Sequence, residues 1–485
     1  MSRAHHNHLE ATLGYTVCHA GRAANTVDTS TLGEANMAPD VNRRDALKLG
    51  AGVGASVALT DWAQANKPKQ DTEAADPRLK PIPRIRVGLV GIGGRGYHLL
   101  RLLLGQPDVE VKAVCDLLED RCQLAQKATV SAGQPKPDAY FPDERAFEKL
   151  CDRDDLDLVV TATPWRWHVP VCVEAMKNGH HAATEVPAAV TLDECWEMVE
   201  TAEKMKRHCV MLENCCYGRT EMMVLNMVRQ GLLGELVHGE AGYMHELRDD
   251  RELLGPDAEV RWRLEHMIRR DGNLYPTHGL GPVAQCMNIN RGDQFDYLVS
   301  MSTVSRGLNV FYASRFGEKH PLATRKYKCG DVNTTMIRTK NGRTITLGHG
   351  TQLPRPYTRI NMVQGTLGIV QGYPDRIALE SNSRGHSWEP IDKYHSKYEH
   401  PLWKKLIREA QGKGHGGMDF MEFHRLVECL HTGTEPDMDV YDAAAWSAVS
   451  DLSERSVAKR SKTIDVPDFT RGRWKKNKPL GIIGG

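Results

Sequence analysis

A glycine-rich turn constrains this chain more than any other feature. Ile85–Val90 is a short apolar run of strand length, Gly91-Ile92-Gly93-Gly94-Arg95-Gly96 follows at once, and residues 97–104 carry helical periodicity. Strand, Gly-x-Gly-x-x-Gly and helix, in that order, form the context that a dinucleotide-binding turn requires. Gly91 makes the tight turn, Gly93 lets the backbone approach a pyrophosphate, and Gly96 lets the helix pack close to the strand. The helix start then offers unpaired N–H groups to phosphates. A second strand, Val109–Cys115, ends at Asp116, 20 residues after Gly96. A carboxylate there accepts hydrogen bonds from a ribose diol and repels a 2′-phosphate, which favours NAD over NADP. The alternative is a plain glycine turn with Asp116 capping the next helix.

The βα alternation continues through strands at 157–163, 180–185 and 209–213 and helices at 169–178 and 191–205. Thr191-Leu192-Asp193-Glu194 is a capping box that opens the second of these helices. Such alternation specifies a doubly wound parallel sheet, whose ligands lie beyond the carboxyl ends of its strands. Three strand ends carry Thr163-Pro164-Trp165-Arg166-Trp167-His168, Glu185-Val186-Pro187 and Asn214-Cys215-Cys216-Tyr217. Three polar or aromatic clusters at successive strand ends point to a site. After residue 214 the pattern changes. Residues 236–245 alternate, 333–339 and 343–349 flank an Asn341-Gly342 hairpin signal, and 360–363 and 366–371 continue the strands. The expected architecture is a Rossmann domain at 84–214, then an α/β domain at 215–485 with an open, mainly antiparallel sheet. Residues 217–229 are its expected entry helix. Helices at 418–432 and 441–458 finish the fold and are free to pack back on the Rossmann domain.

Composition narrows the function. Lys plus Arg is 63 against 62 for Asp plus Glu, a net charge of +1. That balance argues against a nucleic-acid binder or a polybasic membrane-surface protein. No apolar run reaches the roughly 18 residues of a membrane span. The 12 cysteines form no Cys-x-x-Cys pair, so neither a disulfide scaffold nor a metal site is expected, and Cys215-Cys216 reads as packing.

The N-terminal 65 residues read as an address. Arg43-Arg44 precedes a mildly apolar stretch at 49–59, and Ala63-Gln64-Ala65 supplies a small-residue cleavage site. Residues 37–65 therefore resemble a twin-arginine export signal, which implies a periplasmic or extracytoplasmic protein exported already folded, with cofactor aboard. Residues 1–36 do not fit that grammar and are expected to be disordered, or to lie upstream of a start at Met37. Residues 66–83, rich in charge and proline, read as an extended linker.

A nicotinamide domain followed by an open antiparallel α/β domain resembles the Gfo/Idh/MocA oxidoreductase superfamily. That superfamily carries Glu-Lys-Pro where this chain has Glu185-Val186-Pro187, and Asp-x-Gly-x-His where it has Leu274 and Pro276 ahead of His278. The substitutions argue against a simple sugar dehydrogenase. With Gly94-Arg95, Trp165-Arg166-Trp167-His168, Glu213-Asn214-Cys215-Cys216-Tyr217-Gly218-Arg219 and Asn273-Leu274-Tyr275-Pro276-Thr277-His278-Gly279, they resemble glycoside hydrolase family 109 from about residue 84 onward. The resemblance implies α-N-acetylgalactosaminidase activity with tightly bound NAD. It assigns NAD contacts to Gly94, Arg95, Asp116, Trp165, Arg166, Trp167, His168, Glu185, Val186, Asn214 and Tyr275. Sugar contacts fall on Tyr243, Arg263, Tyr275, Pro276, Thr277, His278 and Tyr357. The acidic segment 248–259 reads as an insertion near the substrate entrance.

An ordinary glycosidase works with two carboxylates, and no convincing pair stands out. The implied cycle oxidises C3 of the sugar, eliminates the C1 leaving group after loss of the C2 proton, adds water and reduces C3 again. NAD is thereby regenerated in each turnover. Such chemistry needs a base that works near neutrality. His278 is the expected proton-transfer group, Tyr217 the second acid/base, and Glu185 an auxiliary base or orienter. Each also has a plainer reading: a core histidine, a packing aromatic, an ion pair for Arg263, a loop shield for Tyr357, and core or cofactor wall for Trp165 and Trp167. The partner expected is a glycan ending in N-acetylgalactosamine, with a homo-oligomer through the open sheet. A periplasmic NAD(P)-dependent sugar dehydrogenase and a non-catalytic sugar binder are the competing functions.

Overall fold

The computed structural model describes residues 76–383, 386–479 and 481–483. The expected signal at 37–65, the stretch 1–36 and residues 66–75 of the expected linker lie outside the described residues. The rest of that linker is docked and not extended. Pro77–Leu79 form a 3₁₀ turn, Ile82 N donates to the Leu430 carbonyl at 2.9 Å, and His208 Nε2 lies 3.0 Å from the Arg78 carbonyl. Charge and proline suggested extension, but a helix end with unpaired carbonyls and a buried histidine give this backbone partners.

The first sheet has six parallel strands: β1 (Ile85–Val90), β2 (Val109–Cys115), β3 (Asp138–Tyr140), β4 (Leu158–Thr161), β5 (His181–Thr184) and β6 (Cys209–Met211). Their order is β3-β2-β1-β4-β5-β6, the doubly wound arrangement. Helices α1 (Gly94–Leu104), α2 (Glu119–Ser131), α3 (Ala146–Cys151), α4 (His168–Lys177) and α5 (Leu192–Met205) alternate with the strands. β4, β5 and β6 are buried along their whole length, which is why they read as unbroken apolar runs and not as alternating ones. The capping box of α5 is present: Thr191 Oγ1 accepts from Glu194 N at 3.2 Å and Glu194 Oε2 from Thr191 N at 3.0 Å. The strands end two residues sooner than their apolar runs suggest, at Thr161 and Met211. The chain then turns into short 3₁₀ segments, Trp165–Trp167 and Asn214–Tyr217, that lift the polar clusters off the sheet edge.

From α6 (Arg219–Arg229) the chain enters a nine-stranded sheet. Its strands are β7 (Leu236–Met244), β8 (Phe295–Ser302), β9 (Asn333–Thr339), β10 (Thr344–Gly350), β11 (Met362–Gly365), β12 (Gly368–Gln371), β13 (Arg376–Leu379), β14 (Glu389–Pro390) and β15 (Ile464–Asp465). The order is β14-β13-β12-β11-β7-β10-β9-β8-β15. Every pairing is antiparallel except β7 with β10. The Asn341-Gly342 turn forces β10 back along β9, and β10 then takes the free edge of β7 in the same direction. Helix α8 (Thr277–Cys286), which follows α7 (Trp262–Arg269), packs on β7. On the uncovered face Thr334, Met336 and Arg338 alternate outward from β9.

The two closing helices join the sheets. Met418–Thr432 packs against β1, α1 and the Asn214–Tyr217 turn, and Val440–Ala458 lies against α5 and β6 on one side and β8 on the other. One apolar core therefore runs through both sheets, with Trp446 fully buried within it. Among the described residues no helix is long and apolar enough to cross a membrane. Their eleven cysteines are all buried and unpaired.

Candidate functional site

The glycine turn is shaped by two close approaches. Gly91 has φ +86°, and a Cβ on Gly96 would stand 1.7 Å from the Gly91 carbonyl oxygen, so helix and strand meet only without side chains. Gly93 and Gly94 are the opposite case, since a Cβ on either would meet nothing within 4 Å. The backbone that should face a pyrophosphate is thus open. Asp116 accepts from Ile92 N at 2.7 Å and from Leu118 N at 3.0 Å, tying the end of β2 to the turn. It also lines a pocket of about 150 Å³ together with Gly91, Arg121, Phe147, Arg166 and Trp167. Anchor and ribose acceptor are compatible roles, because each carboxylate oxygen has two lone pairs. An open glycine cradle, an acid at the ribose position and an adjacent aromatic-lined pocket fit an adenine dinucleotide.

Arg95 leaves that turn toward a charged hub. Its Nε donates to Glu185 Oε1 at 2.6 Å and its Nη1 and Nη2 to Asp419 at 2.8 and 3.2 Å. Asp419 also accepts from Asn214 Nδ2 at 2.6 Å and meets His98 Nε2 and His415 Nδ1, each at 2.8 Å. Burial opposes ionisation of Asp419, but the two histidines and Arg95 outweigh it and hold the carboxyl well below its usual range. One turn along the helix, Glu422 is buried with neither oxygen hydrogen-bonded. Burial, reinforced by Glu185 and Asp419, keeps its proton on.

A second cluster faces this hub across the strand ends. Gly279 brings it together: a Cβ there would stand 2.4 Å from Gly242 N, so the first turn of α8 rests directly on the β7 backbone. His278 is thereby held with Nδ1 2.7 Å from Glu213 Oε1 and Nε2 3.4 Å from the Tyr275 hydroxyl. Burial alone would raise the Glu213 carboxyl, yet the charge and hydrogen bond of His278 prevail and hold it low. The aromatic wall is continuous. Tyr275 lies 4.5 Å from Tyr243, 4.9 Å from His278 and 5.8 Å from Trp165, centroid to centroid, and Tyr243 leads to Tyr357 at 6.3 Å. Arg263 is buried, stacked on Trp165 and Tyr275 at 5.4 and 5.1 Å, and paired with Glu252 at 2.6 Å. It is therefore no surface ion pair. Burial pushes the Tyr275 phenol well above its ordinary value, so it stays protonated beside His278.

The structure thus gathers His278, Tyr243, Arg263, Tyr275 and Trp165 at one place, with Pro276 and Thr277 buried at the α8 start and Tyr357 at the rim. Glu185, Val186 and Asn214 lie on the nucleotide side with Arg95. Two expected contacts come out differently. His168 is buried, with Nδ1 2.8 Å from the Pro187 carbonyl and Nε2 2.9 Å from that of Thr163, so it braces the loops and presents no free nitrogen. Tyr217 donates to Asp437 Oδ2 at 3.2 Å, beside Arg425, and its ring makes none of the contacts that link Tyr243, Tyr275 and His278. The tyrosine that stands beside His278 is Tyr275. Arg166 points outward to Glu144 at 2.8 Å, at the edge of the nucleotide pocket.

Sequence reasoning missed Glu213 and Asp419 as site residues. A lone acid closing the 209–213 run was the available sign for Glu213. Asp419 had none, because its partner Arg95 lies 324 positions away. Cys215 is buried as expected, and Glu213, Cys215 and His278 each present a ligand atom, all within 4.8 Å of one another.

Comparison with known proteins agrees with both halves. Residues 85–213 match the oxidoreductase family with an NAD-binding Rossmann fold, and 217–476 match the glycosyl hydrolase 109 C-terminal domain. A glycosyl hydrolase family 109 protein of Solibacter usitatus is 49% identical over 444 residues, covering 90% of this chain and 99% of that one. An alpha-N-acetylgalactosaminidase of Shewanella oneidensis is 44% identical over 457 residues, covering 92% and 99%. Among solved structures, levoglucosan dehydrogenase in complex with NADH and levoglucosan aligns with TM-score 0.60 at 20% identity, over 79% of this chain and all 100% of that one. The similarity spans both sheets, the nucleotide turn and the His278 cluster, and the chain belongs to glycosyl hydrolase family 109.

Proposed function

We propose that the protein is an NAD-dependent glycosidase that removes terminal α-N-acetylgalactosamine, or a closely related hexosamine, from a glycan. The observation that carries this reading is the His278–Glu213 pair set in an aromatic wall and facing the nucleotide turn. The cofactor is NAD, held by the Gly91–Gly96 turn, Asp116, Trp167 and the Arg95–Glu185 pair. Bound there, it supplies reversible oxidation of a sugar carbinol, which makes the neighbouring C–H acidic enough for the glycosidic oxygen to leave.

The residues of the chain do the rest. His278 takes and returns protons at Nε2, the nitrogen directed toward the Tyr275 hydroxyl, while Glu213 fixes the tautomer through Nδ1 and steadies the charged imidazolium. Tyr275 stays a neutral donor and shares that proton path. Glu185, held by Arg95, acts as an orienter. Tyr243, Tyr275 and Trp165 provide apolar faces for a pyranose ring, and Arg263 directs a fixed positive charge to its polar edge. The match to a relative named for α-N-acetylgalactosaminidase activity supports the choice of sugar. Hydrolysis of an aryl α-N-acetylgalactosaminide without net NADH supports the reading. Stoichiometric NADH with the glycoside intact overturns it in favour of a sugar dehydrogenase.

The proposal has two further parts. The Arg43-Arg44 segment supports twin-arginine export, tested by fractionating cells that express Arg43→Lys/Arg44→Lys, which should retain the protein in the cytoplasm. The uncovered face of the second sheet supports a homo-oligomer, tested by sedimentation of the purified protein and of Met336→Lys.

A further inference from the structure

The three side chains nearest the proposed proton path also have the makings of a metal site. Glu213 and Cys215 are two residues apart, where the chain turns off the parallel sheet, and the close seat of α8 on β7 delivers His278 to them. Their ligand atoms lie within 4.8 Å of one another. A tetrahedral zinc ion holds sulfur, nitrogen and oxygen at about 2.0–2.3 Å and so spaces its ligands roughly 3.5 Å apart. Closing that gap takes about 1 Å of side-chain movement. A second observation points the same way. Glu213 Oε1 is occupied by His278 Nδ1 and Cys215 N, while the buried Oε2 forms no well-aligned hydrogen bond and the carboxylate has only the Thr277 hydroxyl and the Cys215 thiol as further polar neighbours. A buried carboxylate oxygen so weakly satisfied is costly, and a cation serves it better. His278 is the most exposed of the three, with 16% of its side chain accessible, and provides the way in. The donor set of one thiol, one imidazole and one carboxylate suits zinc or cobalt and not magnesium or calcium, which favour oxygen alone.

We infer that Glu213, Cys215 and His278 form a site for a thiol-seeking divalent cation, zinc foremost, and that its occupation shuts the enzyme off by taking His278. The second half rests on the role proposed above for His278. On binding, the Cys215 S–H bond breaks and its proton leaves to the buffer. Lone pairs of sulfur, nitrogen and oxygen form the bonds to the metal, and no electron is transferred.

The test uses the purified, NAD-loaded protein and Co²⁺. The expected result is a thiolate-to-cobalt charge-transfer band that Zn²⁺ displaces, EDTA removes, and Cys215→Ser and His278→Ala each abolish. Zn²⁺ should inhibit the parent protein reversibly and Cys215→Ser at least 100-fold more weakly, with Mg²⁺ without effect on either. No band, or a band that survives Cys215→Ser, overturns the site. A band without inhibition upholds the site and instead overturns the proton-transfer role of His278. Circular dichroism of both variants identifies a band lost only through unfolding, and Cys215→Ala then replaces Cys215→Ser.

Discussion

Asp419 and Glu213 are both carboxylates with fully buried side chains, yet their surroundings are opposite. Asp419 is saturated: Arg95 twice, Asn214, His98 and His415 share its two oxygens. Glu213 is half used. One oxygen meets His278 and Cys215 N, and the other forms no well-aligned hydrogen bond, with the Thr277 hydroxyl as the carboxylate's remaining donor. A buried polar group with every bond made serves to fix geometry. Asp419 is such a brace on the nucleotide side, although Glu422 one turn along the same helix keeps both oxygens free of hydrogen bonds. The Glu213–His278 pair keeps bonding capacity to spare beside the aromatic wall.

Substitutions can break or sharpen that contrast. His278→Ala removes the proton carrier and should lower kcat about 10²- to 10⁴-fold, and it also costs stability because the buried Glu213 carboxylate loses the imidazole that holds it. Turnover that survives the substitution would show that the histidine is structural. Asp419→Asn should act on the fold first, losing about 3–5 kcal/mol in denaturant unfolding because Arg95 forfeits a buried partner. The pH dependence has a definite sign. The Asp419 carboxyl lies below its unfolded value of about 3.9, so its contribution is complete above that pH and is lost as pH falls toward the folded value. The stability gap between the parent protein and Asp419→Asn should hold above about pH 5 and narrow below about pH 4. An unchanging gap would mean that Asp419 is not ionised in the fold.

Glu213→Gln keeps the shape of the side chain but removes the charge that orients and stabilises His278. A charge-assisted hydrogen bond contributes about 1.5–3 kcal/mol, so kcat should fall roughly 10- to 100-fold with KM little altered. Tyr217→Phe is the mildest. Losing one hydrogen bond to Asp437 should cost about 1 kcal/mol of stability and leave turnover within about twofold. A large loss of turnover would restore Tyr217 to the proton path.

What was legible in the sequence follows the same division. The glycine turn, Asp116 and the capping box of α5 are local: each depends on residues a few positions apart, or on one strand-to-strand step, and spacing alone exposes them. The hub and the pair are not local. Glu213 and His278 are separated by 65 positions and meet only because α8 lies on β7. Arg95 and Asp419 meet only because a C-terminal helix returns to the first sheet. Tyr217 illustrates the opposite error. A tyrosine two positions after Cys215 looks equivalent to its neighbours in the chain, but the 3₁₀ turn at Asn214–Tyr217 rotates it toward Asp437 and away from the aromatic wall. Short turns at strand ends decide which side chain faces the cleft, and no periodicity announces them.

The central claim is that cofactor and His278 cluster act together on one sugar, and hydrolysis in deuterated water tests it most directly. With an aryl α-N-acetylgalactosaminide as substrate, the account predicts that released sugar carries deuterium at C2 while NADH does not accumulate. Released sugar with hydrogen retained at C2 would contradict it.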